Sequence, residues 1–352
     1  MAMFMEQLRR RCHECGNPVL VGLDPRLESL PMSIRPVSER ASAVEVAAAY
    51  GTFCRAVIDV VAPLVPAVKP QSAFFEQLGP VGITLLVELI RYAQSKGLLV
   101  ILDGKRNDIG STAAAYADGM LGRGDRSAWG ADALTVSPYL GEDGVQPFVD
   151  IAARRNAGVF VLVKTSNPGG MMLQDLTIAG WTPSAEQRWV KSADVAVHAG
   201  HSLRTASVPV HAGSPDGFVG RSIYERMGAW VDRLAASAPS ADDVCYGGVV
   251  GAVVGATYPE ELAALRAMMP ATWFLVPGFG AQGGGVGDVA AAFDKNGEGA
   301  IVNNSRGIIF AYRSPEYAGF GESRWESAVE AATRKMIDSL RDGTTAGRLG
   351  HR

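Results

Sequence analysis

Asp103 and Lys105 stand two residues apart at the end of an apolar run, inside Ile101-Leu-Asp-Gly-Lys-Arg-Asn-Asp-Ile-Gly-Ser-Thr112. If that run is a strand, both side chains project to the same side, and in a closed barrel that side can be the interior mouth. Opposite charges held there favour each other's ionised forms, which makes Lys105 a candidate ammonium acid. Asp108 and Thr112 follow, four residues apart, a spacing that predicts one face at the start of the next helix. A second chemical grouping lies further on. The glycine-rich stretch Pro277 to Gly285 offers backbone N–H groups and Arg306 a guanidinium, which together suit a phosphate.

Two other groupings are set aside. Cys12 and Cys15 form a CxxC around His13, but no second CxxC or HxxxH completes a zinc set. They read as an ordinary pair at a helix end, and four cysteines in 352 residues are too few for a disulfide framework. His198, His201 and His211 are spaced by three and ten residues, which fits no common zinc template.

The elements that must position these groups follow from apolar runs bounded by turn residues. Eight runs qualify: Val19 to Leu23, Leu64 to Val68, Leu98 to Leu102, Ala133 to Val136, Val159 to Val163, Gly248 to Val254, Trp273 to Val276 and Ala300 to Val302. Continuous apolarity without alternation means strands covered on both faces, as in a parallel sheet. Helical periodicity fills the intervals, at Ala43 to Val60, Gly82 to Ser95, Thr112 to Leu121, Glu260 to Met268 and Ser327 to Leu340. Strand then helix, eight times, predicts an α/β fold of the (β/α)8 TIM-barrel kind, one domain over residues 1–352. Polar or ionisable groups follow several of the runs, at the end where barrel enzymes keep their chemistry. Residues 170–220 are too long for a simple βα connection and read as an insertion or lid without a catalytic role. Within and after it, Ser184 to Ser202 could be helical, and Ile223 to Leu234 is the better candidate for the fifth helix.

Composition excludes several classes of partner. With 47% hydrophobic and 20% charged residues the chain can build a packed core. A formal net charge of −3 gives no general pull toward nucleic acid or an acidic membrane. No run approaches the roughly 20 apolar residues of a membrane span, and the start MAMFMEQLRRRC carries no signal-peptide stretch, so a cytoplasmic protein is expected.

Asp103-x-Lys105-x-x-Asp108, followed by Ile109 and Thr112, resembles the signature of the orotidine 5′-phosphate decarboxylase family. Five further segments resemble its longer bacterial branch: Gly22-Leu-Asp-Pro-Arg26, Val68-Lys-Pro-Gln-Ser-Ala-Phe-Phe-Glu76, Val163-Lys-Thr-Ser-Asn-Pro-Gly169, Val276-Pro-Gly-Phe-Gly-Ala-Gln-Gly-Gly284 and Val302-Asn-Asn-Ser-Arg-Gly307. They run in family order from about residue 19 to 310.

The resemblance implies decarboxylation of orotidine 5′-monophosphate to UMP without a cofactor or metal. It implies an alternating chain of Lys69, Asp103, Lys105 and Asp108, the last reaching with Thr112 into the site of the other subunit of a homodimer. Lys105 would stabilise the C6 carbanion and protonate it. Asp24 and Lys69 would contact the ribose, Ser166 or Thr165 the pyrimidine edge, and Gln282, Gly283 and Arg306 the phosphate. The shorter branch has Gly before the phosphate arginine where this chain has Ser305, which bears on how closely the backbone approaches there. Two other readings remain open at this level: a magnesium-dependent keto-sugar-phosphate decarboxylase or hexulose-phosphate synthase of the same superfamily, and a non-catalytic nucleotide-binding barrel.

Overall fold

Eight parallel strands close into a barrel in chain order: β1 (Val19–Leu23), β2 (Ala67–Pro70), β3 (Leu99–Arg106), β4 (Ala133–Val136), β5 (Gly158–Lys164), β6 (Val250–Val254), β7 (Trp273–Val276) and β8 (Ala300–Asn304). The computed structural model describes residues 2–38, 40–178, 221–237, 246–280 and 284–350. The ring is sealed where β1 pairs with β8, Val19 opposite Val302. Every residue of β1, β4, β6, β7 and β8 is buried, as expected of strands lined by side chains inside and covered by helices outside.

Helices lie between and beyond the strands: α1 (Phe4–Cys15), α2 (Ala43–Val61), α3 (Ala73–Glu76), α4 (Pro80–Ser95), α5 (Gly110–Met120), α6 (Glu142–Arg155), α7 (Met171–Gln174), α8 (Ile223–Ala236), α9 (Pro259–Met268), α10 (Val286–Val289), α11 (Arg306–Ile309) and α12 (Trp325–Gly343). Local chemistry starts two of the longer ones. Ser42 accepts Glu45 N–H while Glu45 accepts Ser42 N–H, and Ser222 with Glu225 repeats the arrangement at α8, so two exposed backbone donors are satisfied at each start. Burial then holds the helices down. Phe53 of α2 lies 5.1 Å, centroid to centroid, from Trp325 of α12.

α1 covers the end of the barrel opposite the chemistry. Phe4 is fully buried and meets Phe160 edge-on at 6.2 Å, which removes about 1.5–3 kcal/mol worth of apolar surface from water. It fits because Gly158 has no side chain: a Cβ there would stand 2.2 Å from the Phe4 ring. Arg9 and His13 of α1 both reach the Glu298 carboxylate just before β8. Cys12 is buried and Cys15 half-buried at the end of this helix, and burial pushes both thiols up, away from reactivity.

The strands differ from the apolar runs at several edges, β5 by one residue at each end and β8 by two at its end. β2 begins at Ala67, not Leu64, because Pro63 and Pro66 bracket a turn that cannot join the ladder. Gly248 has φ 101°, so β6 starts only at Val250. β3 runs on to Arg106, past its apolar part. The residues Ser184 to Ser202 lie outside those described. Among the described residues no helix is long and apolar enough to cross a membrane.

Candidate active site

Asp103 is carried to the barrel mouth by β3 and is enclosed from both neighbouring strands. Its Oδ2 accepts from Lys69 Nζ of β2 at 2.7 Å and from Gln71 Nε2 at 3.1 Å. Its Oδ1 accepts from Lys105 Nζ at 2.6 Å and from Thr135 Oγ1 of β4 at 2.9 Å. Burial works against the charge of Asp103, but the Lys69 and Lys105 ammoniums beside it outweigh burial and hold its carboxyl well below the usual carboxylate range. Lys69 is only 4% exposed. Burial by itself would lower its pKa, and the carboxylates of Asp103 and Asp24 reverse that, keeping the ammonium charged.

Lys105 differs from Lys69 in being available. Its side chain is 46% exposed, so the ammonium can meet a ligand while still bound to Asp103. Simple strand alternation does not place it. Register between β3 and β4 shifts between Leu102 and Arg106, and Lys105 itself has φ 43°, in the left-handed region. A non-glycine residue there carries strain of about 1–3 kcal/mol and persists only when its surroundings hold it. Thr135 does so. The same hydroxyl that donates to Asp103 accepts the Lys105 backbone N–H at 2.9 Å.

A cleft of about 500 Å³ opens beside these groups, with Asp24, Arg26, Gln71, Phe74, Glu76 and Lys105 among its walls. Asp24 Oδ1 is buried without a hydrogen-bond partner among the described residues, which leaves it free to accept from a ligand hydroxyl. The Arg26 guanidinium lies over the Phe74 ring at 5.3 Å. Arg106 pairs with Glu76 on the rim.

Asp108 and Thr112 do not share a helical face. α5 begins at Gly110, so Asp108 precedes it, and its Oδ1 accepts Ile109 N–H at 2.8 Å. The break lies in the backbone, where Ile109 is extended and Gly110 has φ 53°, and α6 packs beside it, with Gly144 so close that a Cβ would be 2.9 Å from the Asp108 carbonyl oxygen. Among the described residues Asp108 makes no ion pair with Lys105. Thr112 is exposed on the first turn of α5. Ile109, Tyr116, Tyr139 and Leu140 leave apolar surface open nearby.

On the other side of the mouth the connection after β7 doubles back, with Gly280 N–H donating to Gly284 O at 2.8 Å. Gly278 and Gly280 have φ of 102° and 75°, which glycine alone adopts without strain. Gln282 and Gly283 lie outside the described residues. Arg306 follows β8, exposed and without an ion pair among the described residues. Ser305 has φ −106°, open to any residue, and its side chain fills the space above Gly22 of β1, where a Cβ would stand 1.8 Å from Ser305 Oγ. The serine is therefore compatible with the backbone path.

At the end of β5, Thr165 N–H donates to Gln174 Oε1 at 3.0 Å and Gln174 Nε2 donates to Thr165 Oγ1 at 2.8 Å, while Thr257 Oγ1 donates to Ser166 O at 3.1 Å. Ordered around the mouth, the groups are the glycine connection after β7, Arg306 after β8, Asp24 after β1, Lys69 on β2, Asp103 and Lys105 on β3, Thr135 on β4, and Thr165 with Ser166 after β5. Sequence reasoning had no account of Gln71, Thr135 or Gln174. The visible signs were a lone threonine inside the apolar Ala133-Leu-Thr-Val136 and, for Gln71, its place in the Val68 to Glu76 segment.

The sequence profile of the family described as orotidine 5′-phosphate decarboxylase / HUMPS matches residues 18–209. An orotidine 5′-phosphate decarboxylase of Rhodopirellula baltica is 49% identical over 344 residues, covering 97% of this chain and 100% of that one. One from Caldicellulosiruptor bescii is 33% identical over 92% of this chain and 95% of its own length. Among solved structures, the OMP decarboxylase of Leishmania donovani superposes with a TM-score of 0.65 at 28% identity, covering 97% of this chain and 98% of that one.

Proposed function

The chain belongs to the orotidine 5′-phosphate decarboxylase family and converts orotidine 5′-monophosphate to UMP and CO₂, a reaction in which, we propose, Lys105 stabilises the developing C6 carbanion and protonates it. The observation that carries this reading is Asp103 fixed between two lysine ammoniums at the barrel mouth, one buried and one open to a ligand. When the bond from C6 to the carboxylate breaks, CO₂ leaves and the electron pair stays on C6. A cation already in place beside that atom stabilises the charge without reorganising, which is the most effective form of electrostatic catalysis. Lys105 Nζ then gives a proton to C6 and recovers one from solvent through its exposed side.

The rest of the mouth binds the substrate in this reading. Arg306, with the glycine connection and Gln282 and Gly283, takes the phosphate. Asp24, with its unpartnered oxygen, takes a ribose hydroxyl, with Lys69 beside it. The end of β5 reads the pyrimidine through Ser166 or Thr165. Asp108 and Thr112 complete the site of a second subunit in a homodimer. This is supported by the Asp108 carboxylate lacking an ion pair among the described residues of its own subunit and by the apolar surface of Ile109, Tyr116, Tyr139 and Leu140 around it. The free thiols of Cys12, Cys15 and Cys54 suit a reducing compartment, and we place the enzyme in the cytoplasm, without nucleic-acid or membrane partners and without a cofactor.

Loss of orotidine 5′-monophosphate absorbance in EDTA tests the reading. The native chain is expected to retain its rate, and Lys105→Ala to lose turnover while binding UMP within about tenfold of native, since the ammonium acts mainly on transition-state charge. Turnover by Lys105→Ala above about a tenth of native, a loss under ~1.4 kcal/mol, removes Lys105 from this role. Inactivation of the native chain by EDTA would favour the magnesium-dependent relatives.

A further inference from the structure

Lys164 ends β5 with 1% of its surface exposed, and the mechanism above has no use for it. Its ammonium pairs with the Asp175 carboxylate and lies 4.8 Å from the Tyr224 ring centroid and 4.7 Å from that of Tyr258. Tyr224 belongs to α8 and Tyr258 precedes α9, so the pair joins three separated parts of the chain. Lys164 is buried while Asp175 is a third exposed, so loss of the Asp175 carboxylate would strand a buried ammonium, and that cost keeps Asp175 in place. What this pair holds is Asp175, and with it the preceding residue.

That residue, Gln174, uses both halves of its amide on Thr165, accepting the backbone N–H and donating to the hydroxyl. Gly170 makes the approach possible. A Cβ there would stand 2.9 Å from Thr165 Oγ1 and 3.1 Å from Gln174 Oε1. From the β6 side, Thr257 takes the Ser166 carbonyl, and Gly255 lies so close that a Cβ would be 2.9 Å from the Ser166 nitrogen. The Thr165–Ser166 step is thus gripped from two directions. Among the described residues, the Ser166 hydroxyl is left without a partner.

We propose that Gln174, held by the Lys164–Asp175 pair, is a positioning residue that engages the backbone N–H and the hydroxyl oxygen of Thr165 and so makes the Ser166 hydroxyl the one that hydrogen-bonds the pyrimidine. The inference rests on the decarboxylase reading and narrows it. Neither Lys164 nor Gln174 touches the substrate. Their contribution is to fix where Ser166 stands, which matters because a site built to hydrogen-bond a base loses discrimination when the bonding group drifts.

The test compares inhibition by UMP and by ribose 5-phosphate, which lacks the base, together with kcat and KM for orotidine 5′-monophosphate. Ser166→Ala and Gln174→Ala should each weaken UMP about tenfold, the loss of one hydrogen bond, and leave ribose 5-phosphate within about twofold. The double variant should be no worse than either single one, because Gln174 acts through Ser166. Gln174→Glu, whose carboxylate accepts both the Thr165 N–H and its hydroxyl proton, should recover most of the UMP affinity. The proposal fails if Gln174→Ala weakens ribose 5-phosphate as much as UMP, if its effect multiplies with that of Ser166→Ala, or if Thr165→Val costs more UMP affinity than Ser166→Ala. Failure of the underlying reading looks different: the native chain itself would not turn over the substrate.

Discussion

Replacing Thr135 by Val keeps the shape of a side chain that is 2% exposed and removes one hydroxyl with two duties. That hydroxyl donates to the Asp103 carboxylate and accepts the Lys105 N–H. A hydrogen bond to a charged group contributes about 1.5–3 kcal/mol. The left-handed backbone of Lys105 stores strain of about 1–3 kcal/mol, and losing its N–H acceptor lets part of that strain relax by moving the residue. Together these put the stability loss at about 2–3 kcal/mol, small enough for the barrel to stay folded. Asp103 keeps three other donors and remains charged, so the damage to catalysis is one of placement. If about 2–2.7 kcal/mol of transition-state stabilisation goes with it, kcat falls about 30- to 100-fold. KM should change little, because Thr135 does not line the cleft. Urea unfolding and the absorbance assay read the two effects separately, and Thr135→Ser, which restores the hydroxyl, should recover most of both. A Thr135→Val enzyme with kcat within about twofold of native, or a Thr135→Ser enzyme as impaired as Thr135→Val, refutes the claim that this hydroxyl holds Lys105 in its catalytic position.

Three more outcomes are expected. Lys105→Ala and Asp108→Ala homodimers, both inactive, should recover roughly a quarter of native activity when unfolded and refolded together, since about half the dimers are mixed and half of their sites carry neither lesion; proven heterodimers without activity would place Asp108 in its own subunit's site. Arg306→Ala should weaken the nucleotide substrate and slow its chemistry while mattering far less for the nucleoside, and equal damage to both would take Arg306 out of phosphate binding. Because Asp103 has a depressed pKa in the folded state, its contribution to stability is present above the unfolded value of about 3.9 and is lost as pH falls below it. The difference in urea midpoint between native and Asp103→Asn should therefore narrow from pH 7 to pH 3, and a constant difference would mean that the charge of Asp103 is not what stabilises the fold.

Strand count and order were legible because a barrel strand is covered on both faces and so appears as an unbroken apolar run. The same rule misplaced edges. It drew Leu64 into β2 although two prolines interrupt the ladder there, and it stopped β3 before the charged residues that continue it. Lys69, Asp103, Lys105 and Arg306 stood out because polar and ionisable groups recur at the same end of several apolar strands and these four fall in the segments that resemble the family; a single one, like Lys164, has a structural use as readily. Thr135, Gln71 and Gln174 did not, since a neutral polar residue in a sequence looks the same whether it caps a turn or grips a catalytic side chain. Their roles arise from contacts 9 to 32 residues away in the chain, and such separations are set by the closed ring. Asp108 was misassigned to a helical face because spacing alone cannot show that the chain is extended at Ile109 and turns into the helix only at Gly110.

The contact between Gly22 and Ser305 makes two strands that meet at the barrel's closing seam into one steric unit. A larger residue at 22 has no room unless 305 loses its side chain, and a glycine at 305 opens a void above Gly22. Substitutions at the two positions are therefore expected to arrive as a pair, in either order only through a weakened intermediate. The same coupling limits how the barrel can be recombined. A chimera that takes β1 from one parent and β8 from another inherits a seam that neither parent selected, and the misfit falls beside Asp24 and Arg306, where backbone shifts of a few tenths of an ångström reach the substrate.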